Sequence, residues 1–244
     1  MTANIYDFPV EWYSLLTTQK MPLRSLNQAA ATTWNGAGQG IIGPHTQLWT
    51  TDISFRPMYD PLQQDVDAWV SRLRGRANVA RIGHALRQRP WYDRASKATS
   101  ATFSDGTRFT DGSGFDSGLL PPEVYIAVAA AKGTRYLTLG GFPVSTANVM
   151  RAGDLLQIKP NGVPGAIPHL YKVMYGGSSN ASGMIGLEIE PMLRTSIAVG
   201  DTVGLRNPTT LFRLVDDTQG DVETSGGGIG SLGLSFVEAL DLVP

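Results

Sequence analysis

The side chains that could do chemistry are scattered. His45, His84 and His169 stand far apart, with no i, i+2 or i+4 pair. A metal centre needs imidazoles and carboxylates converging on one point, so these read as isolated polar residues in loops or strands. Gly228-Ile229-Gly230-Ser231-Leu232-Gly233 spells G-x-G-x-x-G. That motif works only between a strand and a helix, with an acidic residue ~20 positions on. Here it feeds a strand with eleven residues left after Gly233, so a flexible hairpin loop is expected. Asp105, Asp111 and Asp116 lie among glycines but miss the spacing of a calcium loop; a polar turn is expected. Asp201, Asp216 and Asp217 offer paired carboxylates, without a His, Tyr or Cys at a suggestive spacing. Glu188 and Glu190 sit at i, i+2 on a predicted strand and share a face. They read either as an acid–base pair or as the polar outer face opposite Ile185, Leu187 and Ile189. No nucleophile elbow, phosphate loop or cysteine is present. The expectation is a chain without catalysis, metal or cofactor.

Binding chemistry is richer. Arg72, Arg74, Arg76, Arg81, Arg87, Arg89 and Arg94 put seven guanidinium groups into 23 residues, beside Trp91 and Tyr92. Such a cluster suits a subunit interface, where Arg and aromatics are favoured. A solvated face capping a helix C-terminus and a nucleic-acid surface are the alternatives. The whole chain carries a net charge of −1, which gives no general attraction to nucleic acid or anionic membrane. Tyr171, Tyr175 and Trp91 are candidates to stack sugars. They sustain a rival reading: a carbohydrate-binding module or glycan-directed enzyme at a phage or bacterial surface.

These residues must be held by strands and one helix. Leu62, Val66, Trp69, Val70 and Leu73 draw one apolar stripe at the helical period. Asp60 is the expected N-cap, with Pro61 opening the helix and Gln63 in capping-box position. Gly75 is the expected left-handed terminator. The preceding stretch alternates at period two, with Trp49, Thr51, Ile53 and Phe55 on one face; the helix stripe is expected to pack there. Residues 1–45 mix Tyr6, Phe8, Trp12 and Tyr13 without a clean period. They read as a strand pair with a loop, or as an arm lying on another subunit.

Residues 98–122 are rich in Ser, Thr, Gly and Asp and mark a domain boundary or a loop excursion. Beyond it, short strands near 134–139, 155–159, 169–175, 184–191 and 202–205 predict a small barrel or sandwich. The closing strands, Thr210 to Val215 and Leu232 to Leu240, have no partners nearby and complete the first sheet. The expected organisation is thus 1–114 with 208–244 as one unit, interrupted by 115–207. The start lacks the basic and apolar regions of a signal peptide, and no apolar run nears the ~20 residues of a membrane span.

A resemblance adds to this. Asp67-Ala68-Trp69-Val70-Ser71-Arg72-Leu73-Arg74-Gly75-Arg76-Ala77-Asn78-Val79 resembles the helix-to-strand segment of distal tail proteins from long-tailed bacteriophages. Ala152-Gly153-Asp154-Leu155-Leu156-Gln157-Ile158, Leu170-Tyr171-Lys172-Val173 and Ile189-Glu190-Pro191-Met192-Leu193-Arg194 are similar to the family's insertion, as are Val199-Gly200-Asp201 and Asn207-Pro208. The closing Leu211-Phe212-Arg213-Leu214 and Ser235-Phe236-Val237-Glu238-Ala239-Leu240 fit the same pattern. The likeness covers residues 46–82 and 134–240.

The resemblance implies a mainly β fold: a tail-tube-like β-sandwich with one flanking helix, plus an inserted small β-barrel or sandwich. It implies a non-catalytic virion protein at the tail tip, made in the host cytoplasm. Such a protein forms a hexameric ring that joins the tail tube protein to the tail-tip hub and its receptor-binding parts. DNA passes the lumen only in transit, and in some relatives the second domain holds side fibres or binds carbohydrate. Under this reading Arg72, Arg74, Arg76, Arg81, Arg87 and Trp91 are the interface candidates.

Overall fold

The computed structural model describes residues 3–25, 28–29, 41–42, 47–58, 61–92, 123–162, 166–217, 219, 223–224 and 230–240. His45, Asp60, Arg94, the aspartates at 105, 111 and 116, and Gly228 lie outside them. Among the described residues the chain is mainly β, with an α-helix at Leu62–Leu73, a six-residue 3-10 turn and a closed barrel. It forms two compact units, Met1–Ala85 with Thr209–Pro244, and Leu86–Pro208. The insertion therefore begins at Leu86, well before the expected start at 115. Hydrogen bonding explains the shift. Asn207 N–H donates to the Gln88 carbonyl at 2.6 Å, Arg87 donates to the Gly153 carbonyl at 3.2 Å, and Trp91 N–H donates to Asp154 Oδ1 at 2.9 Å. The Arg87–Trp91 segment is thus tied to the inserted unit by its own backbone and side chains.

The outer unit is one sheet in the order Ile5–Asp7, Val79–Gly83, Thr209–Leu214, Gly233–Glu238, Gln47–Phe55, Leu16–Lys20, with Leu23–Ser25 also pairing Gln47–Phe55. Both closing strands sit in its middle: Thr209–Leu214 pairs Val79–Gly83, and Gly233–Glu238 pairs Gln47–Phe55. The sheet curls. Gln19, at one end of the strand order, donates to the Gly83 carbonyl at 2.8 Å and accepts from Ala85 N–H at 2.7 Å. Trp49, Thr51, Ile53 and Phe55 are buried on alternate positions, as a strand with one core face requires.

The helix spans Leu62–Leu73 and buries Val66, Trp69, Val70 and Leu73. Its stripe reaches the sheet through a layer of aromatics from the N-terminal segment, which showed no period in sequence. Trp69 meets Phe8 at 5.6 Å, Trp12 at 5.8 Å and Phe236 at 6.5 Å between ring centroids, mostly edge to face. Phe55 meets Phe8 and Trp12, each at 6.2 Å. The first residues are thus folded into this unit's own core, with the Trp69 indole N–H donating to the Asp7 carbonyl at 3.0 Å. Edge-to-face contacts between large rings add to the burial itself, by about 1 kcal/mol a pair.

The helix exit differs by one residue from expectation. Arg74 already takes the left-handed conformation (φ 48°, ψ 51°), and Gly75 follows at φ 61°. Asn78 then locks the exit. Its side-chain amide donates to the Arg72 carbonyl at 2.9 Å, and its side-chain oxygen accepts from Asn4 N–H at 3.0 Å. One orphan carbonyl of the last turn is satisfied this way.

The inserted unit is a closed six-stranded antiparallel barrel. Around the ring run Leu155–Lys159, His169–Tyr175, Ile185–Glu190, Tyr136–Gly140, Val124–Ile126 and Thr202–Gly204, which pairs back to Leu155–Lys159. Three hairpin-connected strands flanked by Thr202–Gly204 make a Greek key. Closure leaves no free sheet edge. The interior is filled by Ile126, Leu139, Leu156, Ile158, Val173 and Ile189 with their neighbours.

Two of its turns are built alike. In Arg151–Asp154 and Ala198–Asp201 a glycine at φ 93° or 89° precedes an aspartate whose N–H closes the turn, at 3.0 and 3.2 Å. Each aspartate's Oδ2 accepts the N–H three residues back at 2.8 Å. Each Oδ1 holds a distant segment, Trp91 N–H in one case and Asn161 N–H in the other, both at 2.9 Å. Asp201, weighed in sequence as an acid–base carboxylate, is a buried turn clamp.

Candidate functional site

The barrel's outer surface carries the clearest site. Ile185–Glu190 lies between His169–Tyr175 and Tyr136–Gly140, with Glu188 paired to Tyr175 on one side and Tyr136 on the other. Ile185, Leu187 and Ile189 point inward, so Gly186, Glu188 and Glu190 take the outer face, as the alternation predicts. On the neighbouring strand, inward Leu137 and Leu139 place Tyr136 and Thr138 outward.

Tyr175 reaches this row because of a bulge. Val173 pairs Ile189 and Tyr175 pairs Glu188, so Met174 is an extra residue between them. A bulge inverts the side-chain phase. Tyr171 and Val173 face the core, whereas Tyr175 is 71 % exposed. Simple alternation would have turned Tyr175 inward. Tyr136 is 69 % exposed. Between these rings lies an open groove of about 240 Å³, lined also by Thr138, Gly186 and Glu188. Glu188 is its only charged side chain. Gly186 forms part of the floor, and a Cβ there would meet no atom within 4 Å. Two aromatic faces, a carboxylate and a hydroxyl can stack on and hydrogen-bond a small polar ligand.

The other candidates fall elsewhere. Tyr171 is 1 % exposed and its hydroxyl accepts from Arg194 N–H at 3.1 Å. It is a core residue and cannot stack a sugar. Trp91 is partly exposed, with the Arg151 guanidinium 4.6 Å over its ring, outside the groove. Glu190 is ion-paired to Arg135 at 3.3 Å, so the two outward glutamates are not equivalent and Glu190 is already engaged.

The arginine cluster is divided. Arg72, Arg74, Arg76 and Arg81 belong to the outer unit, Arg87 and Arg89 to the barrel unit. Arg81 pairs with Asp7 at 2.9 Å, both partly exposed, a contact of small energetic worth. Arg72, Arg74 and Arg76 are exposed at the helix exit. Among the described residues their guanidinium groups make no hydrogen bond or ion pair.

The glycine-rich match does not open a helix, because Gly233–Glu238 is a strand. His169 is buried in the barrel unit, and its Nε2 has no partner among the described residues. Burial and the nearby Arg194 charge lower its pKa to about 4. Among the described residues no group of three or more acidic or imidazole side chains could hold a metal, and no helix is long and apolar enough to cross a membrane.

Sequence reasoning missed Tyr136, Thr138 and Gly186. The alternation around Leu137 and Leu139 was a readable signal for the first two. That Tyr136 and Tyr175 share a row depends on the bulge. Compared with known proteins, the chain matches no family model and no curated protein.

Proposed function

We propose that this chain is a structural, non-catalytic subunit of a long-tailed phage tail tip. It assembles with copies of itself into a hexameric ring that joins the tail tube protein to the hub. The observation that carries this reading is the split outer unit. Both parts of the interrupted chain build one helix-covered sheet, and the segment inserted between them in sequence forms a barrel of its own, which is the organisation the sequence resemblance implies. Support also comes from the helix exit, where Arg72, Arg74 and Arg76 are all exposed. Arg is favoured at interfaces because its planar fork binds carboxylates and carbonyls with little loss of freedom. The ring would use this patch, with DNA passing only through the lumen.

Immunogold labelling of purified particles, made from the genome that encodes the chain, tests the reading. Label at the tail tip is the expected result; particles that carry none of the chain overturn it.

A further inference from the structure

We propose that Glu188, flanked by Tyr136 and Tyr175 on the barrel, is the docking point for an arginine from the helix exit of a second copy of this chain. The contact rests on the ring assembly proposed above and names the acceptor that Arg72, Arg74 or Arg76 meets on the neighbouring copy. The two sides match in charge and in what each lacks. Glu188 pairs in register with Tyr175 on one strand and Tyr136 on the other, and strand spacing sets each tyrosine about 5 Å away. Its side chain thus stands between two rings that are 69 % and 71 % exposed. Among the described residues Glu188 has no ion-pair partner, whereas Glu190, two positions on, is held by Arg135 at 3.3 Å. Arg72, Arg74 and Arg76 are exposed, and their guanidinium groups are equally unpaired among the described residues.

A guanidinium suits this acceptor better than any other group the chain exposes. Its fork gives two parallel hydrogen bonds to a carboxylate. Seated over Glu188, it also comes within the ~6 Å of a ring centre that a cation–π contact needs. An isolated surface pair is worth little. Rings on both sides raise its worth, because they keep water from the pair in the way that residues around an interface hot spot do. With a net charge of −1, whole copies hardly repel one another, so a local pairing of this kind decides how they meet. Donor and acceptor are different surfaces, on different compact units of the chain. The contact can therefore run head to tail from copy to copy, as a ring requires.

Sedimentation velocity of the full chain over a concentration series, with the melting temperature of each variant, tests the pairing by charge exchange. The unchanged chain should self-associate. Glu188→Arg in one variant, and Arg72→Glu, Arg74→Glu and Arg76→Glu together in another, should each weaken association at least about tenfold, because like charges then face each other. An equimolar mixture of the two variants should restore association, since alternating copies again set opposite charges together. Tyr136→Ala with Tyr175→Ala should weaken association about tenfold, the worth of two lost cation–π contacts. Melting temperatures should hold in all of them, since the exchanged side chains are unpaired within the chain. The pairing is overturned if the unchanged chain stays monomeric, if either charge variant associates as before, or if the mixture stays apart. Rescue that needs all four charge changes in one chain also overturns it, because the pair is then internal to a copy. Immunogold labelling reports on the tail tip separately. Label at the tip with a failed charge exchange removes this docking point alone, and a successful exchange with unlabelled particles removes the tail-tip reading alone.

Discussion

At the residue scale, burial decides what a side chain can do. Tyr171 and Tyr175 lie four positions apart on one strand, yet one supports the core and the other is 71 % exposed. His169 shows the electrostatic counterpart. It is 3 % exposed, its Nε2 lacks a partner among the described residues, and its pKa falls from 6.5 to about 4. Desolvation disfavours the imidazolium and the Arg194 charge adds to that. A folded pKa below the unfolded one means that the unfolded chain binds the proton first as pH drops. The contribution of neutral His169 is therefore whole above pH 6.5 and lost as pH falls towards 4. The loss is on the order of 3 kcal/mol across that window. Urea denaturation at pH 7 and pH 5 should show this decline, and His169→Leu should flatten it. An unchanged slope in that variant would assign the acid sensitivity to other groups.

At the element scale, the helix exit and the twin turns hold the architecture. Gly75 sits at φ 61°, and an added Cβ would run into Asp217, whose Oδ1 accepts Arg76 N–H at 2.6 Å. Gly75→Ala is expected to cost about 1–3 kcal/mol from backbone strain and the disturbed hydrogen bond. Arg74→Gly should act oppositely. It removes a side chain from a left-handed position and should raise stability by up to about 1 kcal/mol. Equilibrium denaturation of the two variants checks the pair of signs. In the barrel, Asp201→Ala strips the acceptors of Ala198 and Asn161 N–H. Its expected cost is about 2–4 kcal/mol, since two amides lose their partners. A smaller effect would show that water replaces the carboxylate.

At the scale of the whole molecule, low charge and exposed guanidinium groups bear on assembly. If Arg72, Arg74 and Arg76 make ring contacts, replacing all three by Glu should convert a ring to monomers in size-exclusion chromatography with light scattering. The melting temperature of the monomer should hold, because the guanidinium groups make no hydrogen bond or ion pair among the described residues. A melting temperature that falls with them would make them structural.

The helix stripe, the alternation through Trp49 to Phe55 and the outward face of Gly186, Glu188 and Glu190 follow from sequence alone, because periods of 3.6 and 2 map directly onto burial. Turns at Gly153-Asp154 and Gly200-Asp201 were legible too, since a glycine there answers a backbone need. Other features required the folded chain. Phe8 and Trp12 enter the helix–sheet core through contacts tens of residues away, which no local period records. Leu86 to Trp91 joins the barrel unit because Asp154 and Gly153 accept its hydrogen bonds, not because its composition changes. One extra residue at Met174 turns Tyr175 outward to face Tyr136 across Glu188. A bulge is set by pairing with the next strand, so only tertiary structure could place the two rings on one groove.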